Sequence, residues 1–231
     1  MTETISVIIS VFDGAKYLRE CLSSVLDQTL PPDEVIVVDD GSRDGSASIA
    51  CSFGAPVRVL QQANAGQAAG LVAGMKVATG TQFAFNDADD LWTPRKLEIQ
   101  RALLEEDAQL EAVFGLTEQF VSPELGEDEQ RRFAPPVAIM PGRLLQASLI
   151  RRRVFDRIGG IDPTLRGAGA ADWIARAQGA GLSATMLSEI VHRRRLHAAN
   201  YGRTHVAERD KHLLSALRSQ IIRQRATSGK P

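Results

Sequence analysis

The segment Phe85-Asn86-Asp87-Ala88-Asp89-Asp90 follows an apolar stretch and puts three carboxylates within four positions. Side chains two apart on an extended backbone share a side, so Asp87 and Asp89 are predicted to point the same way. Carboxylates this close repel one another. A hard divalent cation offsets that repulsion, because carboxylate oxygens suit magnesium or manganese. A metal held by a few carboxylates shares its shell with phosphate oxygens, so the segment predicts a Mn2+ or Mg2+ site that meets a phosphorylated ligand. The competing reading is an acidic loop that caps the next helix. A second pair, Asp39-Asp40, runs into Gly41-Ser42, where an Asx turn is the competing reading.

The elements that must position these residues alternate between strand and helix. Ile5 to Val11 is a β-branched run of the kind covered on both faces. Asp13-Gly14 marks a turn, after which Tyr17, Leu18, Cys21, Leu22, Val25 and Leu26 recur at helical spacing until Pro31-Pro32. Glu34 to Val38 is a second buried strand that delivers Asp39-Asp40. Ser46 is a candidate cap for a short helix, Val57 to Leu60 a third strand, and Gly66 to Thr79 a small-residue helix closed by Gly80. Gln82 to Phe85 is the fourth strand, and it delivers the acidic cluster. Thr93-Pro94 matches a cap with proline at the first helical position, ahead of a helix through Leu97, Leu103 and Leu104.

This alternation predicts an α/β fold with a Rossmann-like, mostly parallel sheet flanked by helices. Right-handed crossovers put the strand C-termini on one edge, where ligands bind near a topological switch point. Both acidic groups fall at such ends, which predicts one shared site.

The second half is less regular. Strands are predicted from Glu111 to Val121, Leu144 to Ile150 and Ala184 to Val191. Short helices are predicted from Arg152 to Ile158, ended by Gly159-Gly160, and from Asp172 to Gln178. Ser122 to Pro136 reads as a polar loop. Leu213, Leu214, Leu217, Ile221 and Ile222 pattern an amphipathic terminal helix within 206–225. The division that follows is 1–204 for the main domain (1–110 the regular half with both acidic groups, 111–204 a smaller, less regular half) and 205–231 for a C-terminal helix and tail.

With 231 residues and a formal net charge of −1, the composition suits a globular domain and argues against nonspecific nucleic-acid binding. Cys21 and Cys51 are too few for a disulfide framework and are expected as buried thiols in a reducing compartment. The N-terminal stretch lacks the pattern of a signal peptide, and no apolar run spans a bilayer, so a cytoplasmic location is expected.

Several segments, taken in order, resemble family 2 of the GT-A-fold glycosyltransferases, inverting enzymes that use nucleotide sugars. They are Ser10-Val11-Phe12-Asp13 after the first strand, Val38-Asp39-Asp40-Gly41-Ser42, Asn64-Ala65-Gly66 and Asp87-Ala88-Asp89-Asp90-Leu91-Trp92. Gly159-Gly160-Ile161-Asp162, Ala171-Asp172-Trp173 and Arg195-Leu196-His197-Ala198-Ala199-Asn200 complete the series. Each motif is weak alone; seven in the right order are specific.

The resemblance implies a GT-A fold and transfer of a hexose-type sugar from a nucleotide sugar, most simply a UDP-sugar, to an acceptor hydroxyl. It implies a metal held by Asp89 first, then Asp90, with His197 beside the metal or the diphosphate. Asp40 would accept a hydrogen bond from the pyrimidine, with Asp39 nearby, Ser10 and Phe12 flanking the base, and Asn64, Asp87 and Arg195 completing the donor side. Asp172 would be the general base and Trp173 would stack on the acceptor sugar; as bland alternatives, Asp172 caps a helix and Trp173 fills the core. The implied partners are the donor and a hydroxyl acceptor (saccharide, lipid-linked sugar, peptide or small molecule), with peripheral membrane contact and a homodimer compatible and no nucleic acid. Two positions depart from the family: Leu71 stands where an arginine is usual, and Ala171 where an acid usually precedes Asp172. They motivate the alternative of a catalytically impaired nucleotide-binding or scaffold protein. A nucleotidyltransferase is disfavoured, because Ser10 to Lys16 is not a glycine-rich basic loop.

Overall fold

The computed structural model describes residues 3–200. The first half follows the sequence pattern closely. Strand β1 (Ile5–Val11), helix α1 (Ala15–Leu26), β2 (Glu34–Asp39), α2 (Ser46–Cys51), β3 (Val57–Gln61), α3 (Gln67–Val77) and β4 (Gln82–Asp87) succeed one another. Then come β5 (Leu91–Trp92), α4 (Lys96–Glu106), β6 (Ala112–Val121), α5 (Glu127–Phe133), β7 (Ile139–Met140), a 3-10 turn at Leu145–Ala147 and β8 (Ser148–Arg151). Helices α6 (Arg152–Ile158) and α7 (Gly169–Gly179) and the long β9 (Ala184–Leu196) complete the described chain.

One sheet runs through both halves, in the order β3-β2-β1-β4-β8-β6-β9-β5, with β7 paired to β6. Strands β3, β2, β1 and β4 are mutually parallel, whereas β8 is antiparallel to both β4 and β6, and β6 and β9 are parallel again. The sheet is therefore parallel only in its first half and mixed beyond it. The chain lays down β2 and β3 on one side of β1 and β4 on the other, so the switch point lies between β1 and β4. Ser10 faces Asp87 in that register.

Alternation along the strands fills two cores. Ile5, Val7, Ile9 and Val11 of β1 pack toward α1 and α4, with Leu18, Leu22 and Leu97. Ile8, Phe83 and Phe85 pack on the other face with Leu71, Phe155 and Trp173. Helix α3 sits very close to the sheet on this face. A Cβ at Gly70 would lie 2.2 Å from Ser10 Oγ, and one at Gly74 would lie 2.5 Å from a methyl of Ile8. The small residues of this helix are what permit that approach.

Several boundaries differ from expectation. Helix α4 starts at Lys96 with no side-chain cap, because Thr93 Oγ is turned to donate to the Ile190 carbonyl of β9 at 2.8 Å. Ser46 is the first residue of α2 and its hydroxyl meets Asp44, at 2.5 Å. The polar stretch after Ser122 contains α5, and the segment expected as a strand from Leu144 is a 3-10 turn followed by β8. Cys21 is buried, but Cys51 is exposed. The predicted terminal helix lies outside the described residues. No helix among the described residues is long and apolar enough to cross a membrane.

Candidate active site

Alternation continues to the end of β4 and sorts its last side chains. Asn86 follows Ala84 toward α1, where its amide donates to Cys21 Sγ at 3.4 Å and to the Asp90 carbonyl at 3.1 Å. Asp87 follows Phe83 and Phe85 to the other face. There Gln67, the first residue of α3, donates to Asp87 Oδ1 at 2.6 Å, and Gln146 of the 3-10 turn donates to both carboxylate oxygens at 3.0 Å.

The next three residues are not extended. Asp90 N bonds the Asp87 carbonyl at 3.1 Å, closing a turn. The carboxylates converge all the same: a ligand oxygen from each of Asp87, Asp89 and Asp90 lies within 4.8 Å of the other two. The turn, not the strand period, brings them together.

Strand β5 begins immediately after the turn and pairs antiparallel with β9, Leu91 opposite Arg193 and Trp92 opposite His192. This pairing presses the turn against β9. Asp90 Oδ1 accepts from the Arg195 backbone N–H at 2.8 Å, and Oδ2 lies 3.0 Å from His192 Nε2. His192 Nδ1 lies 3.2 Å from Thr117 Oγ on β6. Burial pushes His192 down to about 3, against the opposing pull of Asp87, so the ring is neutral at neutral pH. The neutral tautomer that satisfies both neighbours carries its proton on Nε2. Asp90 is 3% exposed and turned inward, as the anchor of the turn and not as its open end.

Asp89 is the open end: its side chain is 29% exposed. Oδ2 lies 2.9 Å from His197 Nε2 and accepts from Asn200 Nδ2 at 3.1 Å, and Asn200 Oδ1 accepts from His197 N at 2.7 Å. The Arg-x-His-x-x-Asn segment is thus a clasp on Asp89, and His197 reaches the site through that carboxylate.

Arg195 differs from the donor contact expected of it. It is 2% exposed. Its guanidinium lies between the rings of Tyr17 and Phe120, 4.8 Å from each centroid. It donates to the Asp89 carbonyl at 2.9 Å, to Ser122 Oγ at 3.2 Å and to Glu20 at 2.5 Å. A delocalised cation with these partners fixes the backbone of the acidic turn from behind.

Burial first, then the charges of Asp90 and Asp89, raise Asp87 to about 7, against the bond from Gln146. Burial and Asp89 likewise raise Asp90 well above the carboxylate range. Both shifts come first from burial, with the repulsion between the aspartates added to it. An all-oxygen donor set with one solvent-open carboxylate is chemically suited to Mn2+ or Mg2+, whose charge would relieve that repulsion.

The second acidic pair is near the first in the fold but differently employed. Asp40 is 1% exposed; Oδ1 accepts from Gln62 Nε2 at 2.6 Å and Ala65 N at 2.9 Å, and Oδ2 from Gly66 N at 2.7 Å. Its carboxylate is turned onto the loop before α3, which corrects the expectation that it faces a pyrimidine. Asp39, 3% exposed, accepts from Ser42 N at 3.1 Å. Ser10 lies under Gly70, Phe12 is 52% exposed at the end of β1, and Asn64 is exposed on the loop.

Asp172 lies one turn into α7, 4% exposed, ion-paired with Arg176 at 2.7 Å. It is not the helix cap, which is Ala168. No hydrogen bond joins it to the aspartate turn among the described residues. The start of α7 nevertheless lies against the start of α3, since a Cβ on Gly169 would come within 2.8 Å of Ala68 Cβ. Trp173 is fully buried, its ring stacked on Phe155 at 4.1 Å and its indole N–H donating to the Gly159 carbonyl at 2.8 Å. The structure therefore puts Trp173 in the core and not on an acceptor surface. With Arg176 donating to the Gly160 carbonyl at 2.7 Å, it explains the Gly-Gly-Ile-Asp motif as the seat of α7.

Sequence reading missed Gln67, Gln146, Tyr17 and Glu20. Glutamine at a helix start carries no signal of its own, and the contacts of Tyr17 and Glu20 arise only when β9 closes on α1.

A model of the family described as Glycosyl transferase family 2 matches residues 6–160. An uncharacterised glycosyltransferase of Rickettsia prowazekii is 40% identical over 100 residues, covering 43% of this chain and 31% of that protein. One from Nostoc sp. is 45% identical over 98 residues, covering 41% and 30%. The chain thus spans under a third of the length of these curated relatives. Among solved structures, S. aureus TarS 1-349 in complex with UDP-GlcNAc superposes with a TM-score of 0.69 at 22% identity, covering 85% of this chain and 60% of that one. The mannosyltransferase PcManGT from Pyrobaculum calidifontis, in complex with GDP-Man and Mn2+, gives 0.69 at 21% identity, covering 96% and 65%. At these identities the superpositions speak for the fold, while the matched family model covers most of the chain. With the switch-point site and its aspartate turn, they establish that this chain belongs to glycosyl transferase family 2 and has its GT-A fold.

Proposed function

We propose that the chain is a metal-dependent, inverting glycosyltransferase that moves a hexose-type sugar from a UDP-sugar to an acceptor hydroxyl. The observation that carries this reading is the convergence of Asp87, Asp89 and Asp90 at the switch point, with Asp89 open to solvent. TarS, solved with UDP and UDP-GlcNAc, and PcManGT, solved with GDP-Man and Mn2+, support a nucleotide-sugar donor and a divalent cation.

Asp89 would be the principal ligand of Mn2+ or Mg2+, with Asp87 beside it and His197 and Asn200 holding its free rotation in check. Held there, such a cation would supply Lewis-acid stabilisation of negative charge on a departing diphosphate. Asp90, His192 and Arg195 keep the turn in place, so that no reorganisation is needed when that charge appears. Ser10, Phe12, Asp39 and Asn64 line the donor side at the ends of β1 and β2, with Asp40 shaping the loop. Asp172 takes the proton of the acceptor hydroxyl, and the second half of the chain shapes the acceptor pocket.

Leu71 favours a second reading, a nucleotide-binding protein without turnover, because it is 4% exposed and part of the apolar core where the family carries a cation. A panel of nucleotide sugars with Mn2+, read by thermal shift and by release of free nucleotide, separates the two. Stabilisation with slow release of UDP is expected, and Asp89→Ala is expected to lose both. Binding without release under any acceptor favours the second reading. Full metal-dependent turnover in D89A overturns the site.

A further inference from the structure

We propose that Gln146 is a positioning residue that decides which cation the aspartate turn holds. With Gln67 it fills one oxygen of Asp87, so that Asp87 gives a cation only the other, and this selects small octahedral cations over Ca2+. The inference rests on the metal-dependent reading above and adds to it the residues that set cation choice.

Both glutamines act through their side-chain amides. Gln67 Nε2 donates to Asp87 Oδ1 at 2.6 Å, and Gln146 Nε2 donates to Oδ1 and to Oδ2 at 3.0 Å. Each carboxylate oxygen has two lone-pair sites. Those of Oδ1 are both taken, and Oδ2 keeps one. Asp87 is thereby held as a one-oxygen donor. The two amides come from separate elements, the start of α3 and the 3-10 turn before β8, so rotating the carboxylate breaks bonds to both.

The turn that carries Gln146 is itself fixed. Every carbonyl from Leu145 to Ser148 accepts from a side chain. Ser148 Oγ donates to the Leu145 carbonyl at 2.8 Å, and Trp92 Nε1 to that of Gln146 at 3.2 Å. Gln100 donates to the Ala147 carbonyl at 2.9 Å, and the buried Lys96 amine to that of Ser148 at 2.8 Å. Burying an amine is costly unless it is hydrogen-bonded, and this one has a bond to the end of the turn. Trp92, Lys96 and Gln100 belong to β5 and α4, the elements that directly follow the aspartate turn. One stretch of chain therefore fixes both the carboxylates and the glutamine that orients Asp87.

A carboxylate restricted to one oxygen suits cations that demand near-ideal octahedral geometry, as Mg2+ does and as Mn2+ favours among oxygen ligands. Ca2+ takes about six to eight oxygens in flexible geometry and gains from carboxylates that bind through both. Removing either glutamine amide returns a lone pair to Oδ1 and lets Asp87 bind through both oxygens.

The experiment is titration calorimetry of the full chain with Mn2+ and with Ca2+, each with and without UDP, for wild type, Q146M and Q67M. Melting curves check that each variant is folded. Methionine keeps the length of glutamine and removes the amide. Losing a partner of a ligating side chain costs about 10–100-fold in metal affinity. It also favours the protonated carboxyl, which weakens both cations alike, so the ratio of the two affinities is the readout. Wild type is expected to prefer Mn2+, and Q146M to narrow the Mn2+/Ca2+ affinity ratio about fivefold or more. A smaller narrowing, an unchanged ratio or a wider one in folded Q146M makes the glutamine a mere support and overturns the proposal, as does a wild type that prefers Ca2+. Should Q146M fail to fold, Q67M, at a half-buried helix start, carries the same expectation and the same refutation. A wild type that binds neither cation overturns the metal reading itself, an outcome distinct from these.

Discussion

Replacing Asp90 tests the division of labour within the aspartate turn. The carboxylate is buried and accepts from two donors, Arg195 N at 2.8 Å and His192 Nε2 at 3.0 Å. Alanine leaves both without an acceptor, and each stranded buried donor costs about 1–3 kcal/mol. Against this, the variant no longer buries a carboxyl group whose ionisation its surroundings oppose. A net loss of about 2–4 kcal/mol follows, in the lower part of the summed range. For a chain of this size that lowers the melting temperature by roughly 5–15 °C. Asparagine behaves differently. Its carbonyl oxygen still accepts from Arg195 N, and neutral His192 can move its proton to Nδ1, donate to Thr117 and accept from the new amide. Asp90→Asn is expected to cost less than about 1 kcal/mol. Calorimetric melting of D90A and D90N measures both, and Mn2+-dependent nucleotide affinity is read alongside. If Asp90 anchors and Asp89 binds the cation, D90N keeps its affinity while Asp89→Asn loses about a hundredfold. A D90N variant that melts normally but loses as much affinity as D89N would make Asp90 a ligand and refute the reasoning. A D90A variant that melts with the wild type would refute the anchor.

Asp172→Asn is expected to lower turnover by about 10²–10⁴-fold with donor affinity retained, as loss of a general base does, and steady-state kinetics against calorimetry checks the split. Trp173→Ala is expected to cost about 3–5 kcal/mol of stability and Trp173→Phe much less, measured by denaturant unfolding, because the ring is core and not acceptor surface. Lys96 is fully buried with no carboxylate partner among the described residues; its amine donates to Gln100 Oε1 at 2.9 Å and the Ser148 carbonyl at 2.8 Å, and lies 4.1 Å from the Trp92 ring centroid. Burial holds it well below the ordinary lysine range, so between its folded pKa and about 10.4 the unfolded chain binds the extra proton and stability rises with pH. Wild type should therefore gain on Lys96→Met as pH is raised from 7 toward 9.5 in denaturant titrations, and a pH-independent difference would contradict a neutralised amine.

Much of the site was readable because it is local in sequence. The strand period put Asp87 at a β-strand C-terminus, and the seven ordered motifs carried the family before any contact was known. The alternating strand–helix pattern carried the parallel half of the sheet, since each unit there is built from adjacent segments. Which carboxylate is open, and which is an anchor, was not readable. That depends on β5, two residues long, which pairs with β9 at His192 and Arg193, and on the extension of β9 through Leu196, which pairs with β6. The same pairings turned Arg195 from a free cation into a buried brace and brought His192 to Asp90.

Asp40, Trp173 and Gln146 show the same boundary from other sides. Residue type suggested a base contact, a sugar platform and nothing in particular. Tertiary packing made them a loop anchor, a core ring and a hold on Asp87. Local chemistry and periodicity are written in the chain, because they act over a few residues. The partner that a charged or aromatic side chain meets is set by segments more than a hundred residues away, and only the closed sheet decides it.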